Sequence, residues 1–183
     1  GLPAHDTEQK IVDLETGERE LPVGEVGEVI VRGPQVMLGY WNAPDATAAA
    51  IRDGWLYTGD IGRVDGLGYL YIHDRKKEMI KYKGFGIAPA ELEALLFEHP
   101  AVADAAVIGK PDQEAGEVPK AFVVPKKGER LTAEELLAWA RGRLAGYKTL
   151  HEVELVEAIP KTASGKILRR VLKEQERQRM GLA

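Results

Sequence analysis

The chain has 183 residues, 44% of them hydrophobic and 30% charged, which is the composition of a soluble globular protein whose core needs no staples. Its formal charge of −4 argues against wholesale nucleic-acid binding, so any phosphate site must be local. Cysteine is absent, which excludes disulfides, thiolate metal sites and a thiol nucleophile. His5, His73, His99 and His151 are scattered without ligand spacing, so no metal site is expected from them. No apolar run reaches membrane-spanning length and no signal peptide opens the chain, so no transmembrane segment and a cytoplasmic location are expected.

Gly1 to Thr7 carries neither an initiator methionine nor a helix start, and reads as the cut end of a longer protein. Residues 11–73 read as largely β structure. A strand over Lys10–Asp13 leads into a turn at residues 15–18, and GEVIVR, residues 27–32, reads as a strand partly buried on both sides. Pro44 to Ile51 has the pattern of a short helix closed by Asp53-Gly54. Trp55 to Thr58 is apolar and aromatic, and Gly59-Asp60 is expected to break it. Ile61–Val64 and Tyr69–His73 then form a hairpin around Asp65-Gly66-Leu67-Gly68.

That hairpin brings Asp60 and Asp74-Arg75 to one open end, roughly 5 Å apart across the strands. Two readings fit the pair. It is a plain surface salt bridge, or it is a diol site in which the carboxylate accepts from vicinal hydroxyls and the guanidinium donates to them.

Asp74 to Glu93, DRKKEMIKYKGFGIAPAELE, is the most distinctive stretch of the chain. Cations beside the bare backbone of Gly84 and Gly86 suit a phosphate ligand, and a solvated basic hairpin fits the same composition. Pro89 fits the first position of a helix running to about His99, with Leu92, Leu95 and Leu96 as a core stripe. A strand over Val102–Ile108, a loop over residues 111–116 and a strand over Val118–Val124 follow. Thr132 and Glu135 form a capping box before a helix carrying Leu136, Leu137, Ala140 and Leu144. A third strand spans Val153–Val156, a loop Pro160–Gly165, and a last helix Ile167 to about Arg179. The fold class expected is α+β, a β-rich part followed by a small helix-covered sheet. The domains are expected at 1–76 and 77–183, with the boundary region at Asp74–Lys77.

In PKTASGKILRR, residues 160–170, Lys166 follows Gly165 and is expected in a tight turn at the helix start. The segment is not a P-loop, because Pro160 and Ile167 stand where that pattern needs Gly and Ser or Thr. An ordinary capping turn remains the alternative.

GEVGEVIVRGPQVMLGYWN, GWLYTGD, YIHDRKKEMIKYKGFGIAPAELE and PKTASGKILRR together resemble the adenylate-forming superfamily of acyl-CoA synthetases, coumarate-CoA ligases, firefly luciferase and peptide-synthetase adenylation domains. The bacterial fatty acyl-CoA synthetases carry the most similar forms. The resemblance implies ATP-dependent activation of a small-molecule carboxylic acid, such as a fatty acid, as an acyl-adenylate, with Mg²⁺, followed by transfer to CoA. It implies that Asp60 and Arg75 hold the ribose, that Lys77 is the hinge of a mobile C-terminal lid, and that Lys166 bridges carboxylate and α-phosphate. Lys81, Lys83, Gly84 and Phe85 fall on the face used for thioester formation.

The family's phosphate loop, acyl pocket and adenine pocket lie upstream of the segments matched. The chain is therefore expected to be the tail of the large AMP-binding domain plus the lid, partnered by a missing N-terminal portion and inactive alone. Gly86 stands where many coumarate ligases carry Gln, which weakens any aryl inference. The ending PKTASGKILRR, rather than PNGKVDR, argues for CoA over a carrier-protein acceptor. A non-catalytic binding or assembly module that kept the fold is the other reading.

Overall fold

The computed structural model describes residues 1–144 and 146–182. Ala145 and Ala183, the latter the end of the expected second domain, lie outside them. The chain divides into two compact units, one of Gly1–Lys77 and one from Glu78 onward.

The first unit is a five-stranded antiparallel sheet. Strands β1 (Glu8–Val12), β2 (Gly27–Arg32), β4 (Trp55–Val64) and β3 (Ile51–Arg52) lie in that order, and β5 (Leu70–Arg75) pairs with β4. Helix α1 (Pro44–Ala50) precedes β3. Val29 and Ile30, on opposite faces of β2, are both buried, as a strand covered on two sides requires. The turn after β1 is organised by Asp13. Its carboxylate accepts from the backbone N–H of Glu15, Thr16 and Arg19 and from the Thr16 hydroxyl. The first of these to matter is the Thr16 N–H, and together they hold the carboxyl far below its usual range.

One expectation fails in this unit. Gly59-Asp60 does not break the strand, and β4 runs unbroken through it. The register shifts between Glu28 and Ile30 of β2, so that residues 58–60 form a bulge. Gly59 adopts φ +70° there, and the Thr58 hydroxyl donates to Val29 O at 2.8 Å. The glycine bends the strand because the ladder on either side holds it.

The second unit is a five-stranded sheet between helices, in keeping with the α+β class. Strands β8 (Val102–Asp112) and β9 (Gly116–Pro125) form a long hairpin, β10 (Glu152–Leu155) runs parallel to β9, and β6 (Ile80–Tyr82) pairs with β7 (Phe85–Ile87) and with β9 at Gly116. Period-two alternation sorts the core. Ala105, Val107, Ala121 and Val123 face α2 (Pro89–Phe97) and α3 (Ala133–Arg141), while Ala106, Ile108 and Phe122 face Leu172 of α4 (Arg169–Arg179) with Ile159. The capping box of Thr132 and Glu135 forms as expected.

Several boundaries differ from expectation, including β10, which spans Glu152–Leu155 rather than Val153–Val156. The loop at residues 111–116 shrinks, because the β8–β9 ladder continues to Asp112 opposite Gly116. Helix α2 ends at Phe97, and Leu95 is only partly buried beside fully buried Leu92 and Leu96. Helix α3 ends at Arg141, so Leu144 packs on the core from beyond it. Helix α4 starts at Arg169 rather than Ile167, since Ile167 is held in a bridge with Lys161.

Candidate functional site

In the first unit the hairpin expectation holds: Asp60 pairs with Arg75 across β4 and β5. Arg75 Nε lies 3.0 Å from Asp60 Oδ1, with the side chains 49% and 28% exposed, so the pair is partly open to solvent. No hydrogen bond occupies Asp60 Oδ2 or the terminal nitrogens of Arg75 among the described residues. An acceptor and a set of donors therefore lie side by side, which is the chemistry a vicinal diol satisfies. Thr58, Gly59, Arg75, Lys76 and Lys77 line a 340 Å³ cleft at the bulge.

The bulge has a support the sequence reading did not single out. Glu28, buried on β2, accepts from the Gly59 N–H at 3.2 Å and from Lys76 Nζ at 2.7 Å. A buried carboxylate must be paired, and here it fixes the backbone beside Asp60. Its sequence signal was a glutamate inside a strand buried on both faces. Lys76 to Glu78 is a 3-10 turn, and Lys77 is its exposed middle residue.

In the second unit the basic stretch is a hairpin. Lys83 and Gly84 form its two-residue turn with φ of +47° and +84°, the positive pair a type I′ turn demands. An added Cβ at Gly84 would meet nothing within 4 Å, so the backbone there is open to approach. The hairpin is tied to the β8–β9 turn by Lys83 N donating to Ala115 O at 2.8 Å and to β9 by Lys81 N donating to Glu117 Oε2 at 2.9 Å. Lys81, Lys83 and Phe85 are exposed, and the Phe85 ring lies 5.1 Å from that of Tyr147.

Lys166 is not at a helix start. It sits three residues before α4, on a turn closed by Thr162 N to Lys166 O and Gly165 N to Thr162 O, both 2.9 Å. The Thr162 hydroxyl accepts from Lys166 N at 3.1 Å. The Lys166 side chain is exposed, and its ammonium meets no carboxylate among the described residues. No group of three His, Asp or Glu side chains converges as a metal site among them either.

Two buried charge clusters complete the second unit. Glu93 of α2 pairs with Arg169. Lys120 of β9, buried, lies 2.7 to 2.9 Å from carboxylate oxygens of Glu152, Glu154 and Glu176. Lys110 and Arg179 share those carboxylates, so three cations meet three anions. Burial opposes the charge on Lys120, but the hydrogen bonds it donates to the three glutamates win and push its pKa up.

The family model described as AMP-binding enzyme matches residues 1–41, and the model described as AMP-binding enzyme C-terminal domain matches residues 91–166. The chain belongs to this family of adenylate-forming enzymes and carries its C-terminal domain. It is 53% identical over 176 residues to the long-chain-fatty-acid–CoA ligase of Bacillus subtilis (strain 168), covering 96% of this chain and 31% of the relative. It is 52% identical over 174 residues to the 4-coumarate–CoA ligase of Vanilla planifolia, with coverages of 94% and 31%. Among solved structures, ATP-bound MatB from Rhodopseudomonas palustris is similar with a TM-score of 0.91 at 36% identity, covering 96% of this chain and 35% of that one. The chain thus spans less than a third of the length of the curated relatives it matches. No described helix is long and apolar enough to cross a membrane.

Proposed function

We propose that the chain is the C-terminal portion of a cytoplasmic ATP-dependent acid–thiol ligase, which activates a carboxylic acid as its acyl-adenylate and passes the acyl group to CoA. A fatty acid is the substrate proposed, on the strength of the bacterial fatty-acid ligase relative. In this reading residues 1–76 end the large AMP-binding domain, residues 77–183 are the lid, and the remainder of the large domain is the partner. The single observation that carries the reading is the Asp60–Arg75 pair, which leaves an acceptor oxygen and guanidinium donors side by side at the mouth of a cleft edged by Lys76 and Lys77. Asp60 accepts from the ribose hydroxyls and Arg75 donates to them. Mg²⁺ accompanies the ATP phosphates, and no residue of this chain is assigned to it.

Lys166 supplies the charge that adenylation needs. Negative charge develops between carboxylate and phosphate oxygens, and an ammonium with no carboxylate partner among the described residues is available to meet it. Lys77 is the hinge, and the open turn at Gly84, flanked by Lys81, Lys83 and Phe85, lets the pantetheine pass close to backbone.

The test separates the half-reactions in the complete enzyme. Lys166→Ala should lower adenylation with ATP and dodecanoic acid by about 10²–10³ in kcat. Transfer from synthetic dodecanoyl-adenylate to CoA should stay near wild type. Equal damage to both steps would make Lys166 structural, and turnover of 4-coumaric acid in preference to dodecanoic acid would reassign the substrate.

A further inference from the structure

We infer that Glu93 with Arg169, and Asp104 with Lys161, are positioning residues that hold the Lys166 turn against strand β8. The inference rests on the proposed adenylation role of Lys166.

Among the described residues strand β8 pairs with β9 alone, so its far edge presents backbone groups without a strand partner. At that edge Val107 is fully buried and its N–H has no strand partner to receive it. Glu93 Oε1 accepts it at 2.8 Å. Glu93 is itself buried, at a position where Pro89, Leu92 and Leu96 make the apolar stripe of α2. Its remaining charge is met by Arg169 Nη2, at 2.8 and 2.6 Å from the two oxygens.

Arg169 is the first residue of α4 and lies three residues past Lys166. The contact is end-on, through one nitrogen, and it leaves Arg169 Nε buried without a partner. Arg–carboxylate pairs are frequently bidentate through two nitrogens, whereas this one uses a single nitrogen at the first residue of α4.

The other arm of the turn is fastened to the same strand. Lys161 Nζ lies 2.5 Å from Asp104 Oδ2, and Asp104 stands three residues before Val107 on β8. Between the two anchors the turn closes on itself through Leu168 N to Pro160 O and the Lys161–Ile167 bridge. Ile167 packs into the core with Leu172. Lys166 is therefore carried on a short turn whose both ends are tied by charged side chains to one edge strand. An ammonium misplaced by about 1 Å loses much of its effect on a transition state. The arrangement gives a long, exposed lysine a rigid base.

The experiment has two readouts. In the 183-residue chain, Arg169→Met and Lys161→Met should each speed amide hydrogen exchange at Thr162, Gly165 and Leu168 at least tenfold, with Phe122 and Val123 unchanged. In the complete enzyme, the same variants should lower adenylation kcat 10- to 100-fold at an unchanged KM for ATP. Transfer from synthetic dodecanoyl-adenylate to CoA should stay within twofold, and Arg169→Lys should recover most of the loss. Lys161 is partly exposed, so its variant carries the test if Arg169→Met fails to fold. Unchanged exchange in the turn, normal adenylation, or equal losses in both half-reactions overturns the positioning role. Lys166→Ala is run alongside. If it adenylates normally, the role of Lys166 falls and positioning falls with it, whereas normal exchange in Arg169→Met overturns positioning alone.

Discussion

Asp60 and Arg75 are direct cross-strand partners, joined at 3.0 Å between Oδ1 and Nε at the open end of the β4–β5 hairpin. Both are partly exposed, so the pair contributes at most about 1 kcal/mol to stability. Its consequence for a bound diol is larger, because a hydrogen bond to a charged group is worth about 1.5–3 kcal/mol.

The first prediction follows from that difference. In the complete enzyme, Asp60→Ala should cost roughly 10- to 100-fold in kcat/KM for ATP while leaving the melting temperature nearly unchanged. Steady-state kinetics and calorimetry on the same preparation decide it. A fall in melting temperature with ATP kinetics intact would reduce the pair to a surface salt bridge.

The chain by itself should not adenylate. Lys166 has nothing to act on without the phosphate loop and acyl pocket that the proposed reading places in the rest of the protein. Pyrophosphate release from ATP and dodecanoic acid by the 183-residue chain should equal the blank. Release at even a tenth of ordinary enzyme rates, about 1–10³ s⁻¹, would overturn the fragment reading.

A third prediction concerns Lys120. Removing one member of a buried, hydrogen-bonded ion cluster leaves uncompensated charge, so Lys120→Met should destabilise the second unit by about 3–5 kcal/mol. Lys120→Met with Glu176→Leu should recover most of that, because it removes a buried charge of each sign. The sign with pH is fixed by the partners. For Glu152 burial raises the pKa, but hydrogen bonds from Lys110 and Lys120 outweigh it; for Glu154 Arg179 and Lys120 do the same, and both carboxyls end below the ordinary 4.5. Groups with depressed folded values stabilise above about pH 4.5 and lose that contribution as the pH falls through the folded value. Lys120 and Lys110 are raised, so their contribution is complete below 10.5 and fades only as the pH climbs through the raised values. Urea unfolding should show the wild-type chain losing stability below about pH 4.5. Lys120→Met, lacking one of the cations that depress Glu152 and Glu154, should show a flatter acid limb.

Sequence patterning made the α+β class, the β4–β5 hairpin, the capping box and the tight turn at Lys166 legible, because each rests on local periodicity or local turn chemistry. Two of the misreadings were of one kind. Gly59-Asp60 reads as a strand break and residues 111–116 as a loop, since glycine, proline and acid residues punctuate a chain when nothing else acts on it. In the fold, neighbouring strands override them, as a bulge at Thr58–Asp60 and a ladder that continues to Asp112. The buried charges were missed for a different reason. Glu93 falls on the i, i+3, i+4, i+7 stripe with Pro89, Leu92 and Leu96, which signals a buried acid, but its partner Arg169 lies 76 residues away. Lys120 sits inside an apolar strand run in the same way, and only the tertiary fold names the glutamates that meet it.

The last prediction separates the two faces assigned to the second unit's approach. Lys77 is the middle residue of the 3-10 turn at which the two compact units meet along the chain, and a hinge there must absorb a large backbone change within one or two residues. Proline holds φ near −65°, so Lys77→Pro should hold the lid in the orientation that accepts that angle. The proposed reading expects that to be the adenylation orientation. Gly84 asks for a different substitution, because its φ of +84° strains most side chains even where space is open. Asparagine tolerates the left-handed region, so Gly84→Asn should fold and still put bulk where pantetheine must pass. In the complete enzyme both variants should form dodecanoyl-adenylate at near wild-type rates and lose most transfer to CoA, while Lys77→Ala transfers normally. Half-reaction kinetics from ATP and dodecanoic acid, and separately from synthetic adenylate and CoA, measure each step. If either variant transfers normally while adenylation fails, the assignment of the two faces is reversed.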